Sequence, residues 1–157
     1  MKKIIIVVSL IAAAIVANAQ NYNAAVGVRG GVSQAITLKT FVSGATAFDL
    51  ILGTHSGGLN FTALYEIHQD DIFDVDNLTF FYGLGGHVGF YNSNNWPNNW
   101  NTYSSGPIIG VDGVVGVGYT FDEIPLNLSI DIVPSFHVFP FLKYWQRGSV
   151  SIRYVFK

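Results

Sequence analysis

Apolar and polar side chains alternate along eight successive runs of this chain, and no other feature limits its possible folds as tightly. Neighbouring side chains on a β-strand point to opposite faces. A period of two, bounded by clusters of Gly, Asn, Asp, Ser and Pro, therefore predicts strands, and no capped helical periodicity is sustained after the first 19 residues. The runs are 22–32, 35–42, 46–55, 59–68, 78–92, 107–121, 126–139 and 144–156. Eight is an even number, as an antiparallel up-and-down barrel needs if it is to close on itself. The expectation is an all-β chain folded as an eight-stranded antiparallel barrel, in one domain without a linker.

The contents of the two faces decide what surrounds such a barrel. In the sixth run Ile109, Val111, Val115, Val117, Tyr119 and Phe121 share one face, and Gly110, Asp112, Gly116, Gly118 and Thr120 share the other. The seventh run sets Leu126, Leu128, Ile130, Ile132 and Phe136 against Asn127, Ser129, Asp131, Ser135 and His137. The eighth sets Val150, Ile152, Tyr154 and Phe156 against Ser149, Ser151 and Arg153. Within the runs Arg29, Lys39, Asp49, Glu66, Asp112, Asp131 and Arg153 all fall on the polar face, with His87 beside them. A soluble barrel would turn that face to water and line a ligand cavity with the apolar one, whereas a membrane barrel reverses both. Glycine separates the alternatives. Gly27, Gly31, Gly53, Gly83, Gly85, Gly89, Gly110, Gly116 and Gly118 lie on the polar face, where they relieve crowding in a narrow interior but would leave a soluble exterior bare.

With the polar face inside, the apolar face of eight strands far exceeds the few hundred Å² of apolar patch that a soluble monomer exposes. Lipid is the expected surrounding. Composition agrees, because only 11% of the 157 residues are charged, against about 25% in an average globular chain. Ten acidic and 8 basic side chains leave no basic footprint for nucleic acid. The absence of Cys rules out disulfides and thiolate metal sites.

Residues 1–19 read as a secretory signal, with Lys2 and Lys3 as the positive start, an uncharged run over 4–16 and the small-x-small pattern Ala17-Asn18-Ala19. The apolar run has 13 residues, too few for the ~20 of a membrane-spanning helix. Cleavage is expected before Gln20, leaving 20–157 as the barrel.

These features together resemble a family, the small eight-stranded outer-membrane barrels of the OmpX-like and OmpA-transmembrane type. The resemblance spans nearly the whole of 20–157. It is carried by Ala35-Ile36-Thr37-Leu38-Lys39, by the hairpin from Ser56-Gly57-Gly58 through Leu64-Tyr65-Glu66, and by Phe81-Tyr82-Gly83-Leu84-Gly85-Gly86-His87. Ile124-Pro125-Leu126-Asn127-Leu128-Ser129 and the terminal Ser151-Ile152-Arg153-Tyr154-Val155-Phe156 complete it, although Lys157 follows the aromatic on which such barrels commonly end. The resemblance implies an outer-membrane location with both termini in the periplasm. The connections after runs two, four and six would then be periplasmic turns. The expected role is structural or adhesive and non-enzymatic, with outer-membrane lipid as surroundings, an extracellular protein or surface ligand as partner and a monomer as the favoured state.

Little in the sequence points to chemistry. No Gly-x-Ser-x-Gly elbow or metal-spaced His cluster occurs, so no catalytic residue, cofactor or metal ligand is assigned. His55 beside Ser56 and His137 fall near outer rims, and a rim enzyme acting on lipid is the alternative they would serve. His87 and His137 read as hydrogen-bonded lumen residues. Asp70, Asp71, Asp74 and Asp76 crowd the connection after run four but lack calcium-loop spacing, and read as a solvated acidic turn.

The polar-face ions say more. Strands three, two, one, eight and seven bring Asp49, Lys39, Arg29, Arg153 and Asp131 side by side, with Glu66 and Asp112 on the far wall. An eight-stranded interior is just filled by side chains, so the lumen is expected to be plugged by ion pairs, and a narrow channel or transporter is the second alternative. A turn centred on Gly44 would set Lys39 opposite Asp49, and a hairpin centred near Leu142 would set Asp131 opposite Arg153. Runs five and six are longer than the ~9–11 residues of a membrane-crossing strand. Their hairpin tip, 92–106, holds six Asn with Trp96, Trp100 and Tyr103, and is the candidate extracellular interaction loop. The alternative for these aromatics is the lipid-interface girdle, and the alternative interaction site is the outer loop at 141–148, with Lys143, Tyr144, Trp145 and Arg147.

Overall fold

A computed structural model describes residues 24–55, 58–70, 75–91, 106–140 and 142–156. Eight strands follow in order: β1 Ala24–Gly31, β2 Gln34–Ser43, β3 Thr46–His55, β4 Gly58–Gln69, β5 Leu78–Tyr91, β6 Gly106–Thr120, β7 Leu126–Phe139 and β8 Lys143–Phe156. Each pairs antiparallel with its neighbours, and β8 returns to β1 from Ala24↔Phe156 to Gly31↔Ser149, so the sheet closes as an up-and-down barrel with every strand paired on both sides. Closure removes the exposed edges that an open sheet of this apolarity would present. The expected signal segment and the tip of the β5–β6 hairpin, with Trp96, Trp100 and Tyr103, lie outside the described residues.

The turns follow from local chemistry. Ser43 and Thr46 pair across a two-residue turn of Gly44 and Ala45, with a bulge between Phe41 and Ser43 in β2. Asn77, just before β5, has a φ of 66°, a left-handed conformation that Asn tolerates better than most residues. Its side chain donates to the Asp122 carboxylate in the β6–β7 turn. Asp70 accepts from Thr79 Oγ1, which ties the acidic connection back to β5.

All nine charged side chains of the strands share the inward parity, and none points outward: Arg29, Lys39, Asp49, Glu66, Asp112, Asp131, Lys143, Arg147 and Arg153. The outward face is an apolar belt running from Val26 and Val28 on β1 through Leu52, Phe61 and Leu84 to Ile130 and Ile152. Aromatic side chains gather toward its two ends. Phe48 packs on Tyr65, Tyr119 on Phe121 and Tyr154 on Phe156 at the end where β1 begins and β8 ends, here the lower end. Phe136 packs on Tyr144 toward the upper end.

Inside, glycines stand directly across from large side chains: Gly27 faces Arg153, Gly83 faces Glu66, Gly110 faces His137, and Gly116 faces both Phe81 and Asp131. A Cβ on Gly83 would run into the Tyr65 carbonyl and the Glu66 backbone, and one on Gly116 would meet the Phe81 ring. These glycines provide the room that the long lumen side chains fill. The lumen also holds an apolar cluster of Ile51, Leu64, Phe81, Val114 and Val133. The alternation had assigned the inner face to small, polar and charged groups, and gave no sign of this cluster.

Candidate functional site

The lumen is the only place where the fold concentrates chemically active side chains among the described residues, and its ions sort into two levels. At the lower and middle level Asp49, fully buried, lies directly opposite Lys39 in the β2–β3 register. Its Oδ2 accepts from Arg153 Nη2 at 3.0 Å and lies 3.7 Å from Lys39 Nζ, while Thr37 donates to Oδ1. Lys39 Nζ reaches across to Glu66 Oε2 at 2.5 Å, which His68 Nε2 also contacts at 2.9 Å. The Lys39 ammonium sits over the Phe81 ring, 4.3 Å from its centroid, and the His68 ring stacks with Phe81 at a centroid separation of 5.2 Å. Arg153 Nη1 also donates to Ser129 at 2.6 Å, and Arg29 pairs with Asp131.

The register overturns one expected pair. The β7–β8 hairpin sets Asp131 opposite Ser149 and Arg153 opposite Asn127. The turn is centred near Pro140 rather than Leu142, which moves every partner on β8 by four residues. Arg153 therefore serves Asp49 on β3, and Arg29 serves Asp131. The far wall is divided: Lys39 joins Glu66 to the Asp49–Arg153 group, whereas Asp112 pairs at the upper level.

At the upper level Asp112 Oδ2 receives His87 Nδ1 at 2.9 Å, and its Oδ1 receives Arg147 Nη2 at 3.3 Å. The same Arg147 nitrogen donates to Ser135 Oγ at 3.1 Å. The His137 ring stands edge-on to His87, with centroids 5.0 Å apart. Trp145 and Arg147, expected in an outer loop, belong to β8 and line the lumen beside these histidines, with Lys143 and Tyr144 in the same strand. The strand bounds of the eighth run hold here against the loop reading of 141–148, because the aromatic and basic residues continue the period-two pattern of β8. His55 ends β3, and its neighbour Ser56 lies outside the described residues.

Two cavities flank the plug. The lower, about 560 Å³, is bordered by Lys39, Phe41, His68, Phe81, Asn127 and Arg153. The upper, about 50 Å³, is bordered by Arg29, Asn60, His87, His137, Trp145 and Arg147 among others. Between them, ion pairs and the apolar cluster occupy the lumen. His87 and Asp112 have the relation of a catalytic base and its orienting carboxylate, but Ser135 is bonded to Arg147, and His87 Nε2 has no hydrogen-bond partner among the described residues. A triad needs a nucleophile on that nitrogen. Among the described residues no three His, Asp or Glu side chains converge as a metal site. No family model, curated protein or solved structure matches the chain, so its interpretation rests on the barrel's own geometry.

Proposed function

We propose that this protein is an outer-membrane barrel of the small eight-stranded type, exported by its first 19 residues, with a closed lumen and a structural or adhesion role exerted through its outer loops. The observation that carries the reading is the uninterrupted apolar belt around a charged interior. An open aqueous exterior would invert that distribution, whereas lipid requires it, together with aromatic girdles at the two interfaces. Backbone groups in lipid must be satisfied internally, and a closed barrel does so.

The direct test is fractionation. Folded protein is expected with the outer membrane, migrating in detergent gels as a compact band that shifts only on heating. Recovery as a soluble periplasmic protein would sink the reading. In planar bilayers the purified barrel is expected to carry no steady current, since the Lys39, Asp49, Glu66 and Arg153 network crosses the lumen; stable unitary conductance would favour a channel instead.

The role in adhesion rests on the β5–β6 hairpin, whose tip carries Trp96, Trp100, Tyr103 and six Asn over 92–106. Aromatic residues dominate binding hot spots, and Asn offers donor and acceptor without charge. Shortening the loop by removing 94–101 is expected to abolish binding to cell surfaces or ligands and leave the heat-modifiable band intact. Binding that survives the deletion would move the site elsewhere on the outer surface.

A further inference from the structure

An eight-stranded interior is ordinarily just filled by its side chains, and the cavity of about 560 Å³ below the plug departs from that rule. Its volume lies within the roughly 300–1,000 Å³ of small-molecule sites. Short inward residues make the room, Ala25 on β1, Gly118 on β6 and Ser129 on β7, and the exposed Ser43, Gly44 and Asp70 border the opening at the lower rim. Gly118 is not required by packing. A Cβ there would meet Asn127 Nδ2, the Leu128 carbonyl and the Ser129 Cβ at 3.5–3.6 Å, ordinary contact, whereas one on Gly27, Gly83 or Gly116 would run into its neighbours. Across the ladders Thr79 stands opposite Gly118, Gly118 opposite Ser129 and Thr120 opposite Asn127, so this glycine lies at the centre of a polar wall formed by β5, β6 and β7.

The ions of the cavity and its neutral groups differ in what they have left to offer. Arg153 donates through Nε to Thr37, through Nη1 to Ser129 and through Nη2 to Asp49, and Lys39 lies between Glu66 and Asp49. Both cations already have their carboxylates. An anion would have to break those pairs after passing Asp70, and a cation would meet Lys39 and Arg153. The groups still open suit neither. Asp70 accepts from Thr79 through Oδ1, and Asn127 spends its Nδ2 on Tyr119 and Thr120; the other oxygen of each has no hydrogen-bond partner among the described residues. Thr120 and Ser129 each accept one bond and keep an O–H to donate. Phe41, half-buried and edge-on to His68, adds apolar surface on β2.

We propose that the lower cavity binds a neutral sugar of one or two rings. Sugar hydroxyls both donate and accept, so they satisfy Asp70 and Asn127 as acceptors and Thr120 and Ser129 as donors. The C–H face of a pyranose packs on Phe41, because an aromatic face is the negative side of the ring quadrupole. No charge is buried or displaced, a cost that an ionic ligand would incur. The cavity opens at the lower rim whatever surrounds the barrel, so the inference goes beyond the membrane reading and does not depend on it.

Saturation-transfer NMR on the full chain in phosphatidylcholine nanodiscs, whose lipid carries no sugar, tests this with glucose, N-acetylglucosamine and maltose as probes. At least one is expected to bind saturably. Glucosamine and glucuronate, the same ring with a positive or a negative charge, are expected to bind about tenfold or more weakly than the best neutral probe. Gly118→Leu puts bulk at the centre of the polar wall and is expected to weaken binding about tenfold or more while the heat-modifiable band persists. The proposal is overturned if no neutral probe gives a saturable signal, if either charged ring binds as well as the neutral ones, or if folded Gly118→Leu keeps its affinity. The first two results need no variant, so they decide the matter even if Gly118→Leu does not fold. A chain that fails to insert as a folded barrel overturns the membrane reading instead, and the same titration in solution then decides this one.

Discussion

Arg153→Ala is expected to lower the stability of the folded barrel by about 3–5 kcal/mol, the usual cost of breaking a buried ion pair. Arg153 is 1% exposed and Asp49 is fully buried, so the change leaves a buried carboxylate without its guanidinium partner. The change also orphans Ser129 and leaves Asp49 with Thr37 and a Lys39 that is shared with Glu66. Urea unfolding in detergent measures the effect as a lower midpoint at unchanged slope. The double change Arg153→Met with Asp49→Leu removes both charges and is expected to recover most of the loss, because an apolar pair of similar volume often matches a buried ion pair. An unaltered midpoint for Arg153→Ala would mean that the network is not the plug described above.

The second large effect distinguishes lipid from water outside the barrel. Leu84 lies midway along β5 and is 75% exposed. In water, Leu84→Arg would be a surface change worth about 0.5 kcal/mol or less. At the middle of a bilayer the same change costs about 2–4 kcal/mol, and near an interface about 0–1. The expected result is therefore a marked loss for Leu84→Arg and little for Val42→Arg at the lower end of β2, both measured by unfolding from lipid vesicles. Equal, small effects at both positions would place water around the barrel and remove the basis of the proposed function.

The position of the lumen network explains why its members could be found in the sequence while its pairs could not. Each charged residue is assigned to the inner face by a count of two along its own strand, which is local. Lys39 and Asp49 could also be paired by centring the short turn on Gly44; in the structure Ser43 pairs with Thr46 and the bulge between Phe41 and Ser43 shifts the register by one, which sets Lys39 opposite Asp49. A longer connection carries no such constraint. The β7–β8 turn contains Pro140 and apolar neighbours on both sides, and nothing in its composition distinguishes a centre at 140 from one at 142.

The amino-acid sequence by itself thus determined the eight strands, their inward and outward faces and the closed antiparallel order, since all three follow from the period of the side chains and the spacing of turns. Only the tertiary structure decided which ions meet. Arg29 reaches Asp131 across 102 residues of chain, and Arg153 reaches Asp49 across 104. Such contacts depend on the stagger accumulated around the whole barrel. The same stagger brings Trp145 and Arg147 to the level of His87 and His137, and Phe81 to the level of Lys39. A strand's own sequence specifies which way a side chain points; what stands across the lumen from it is set by the seven other strands.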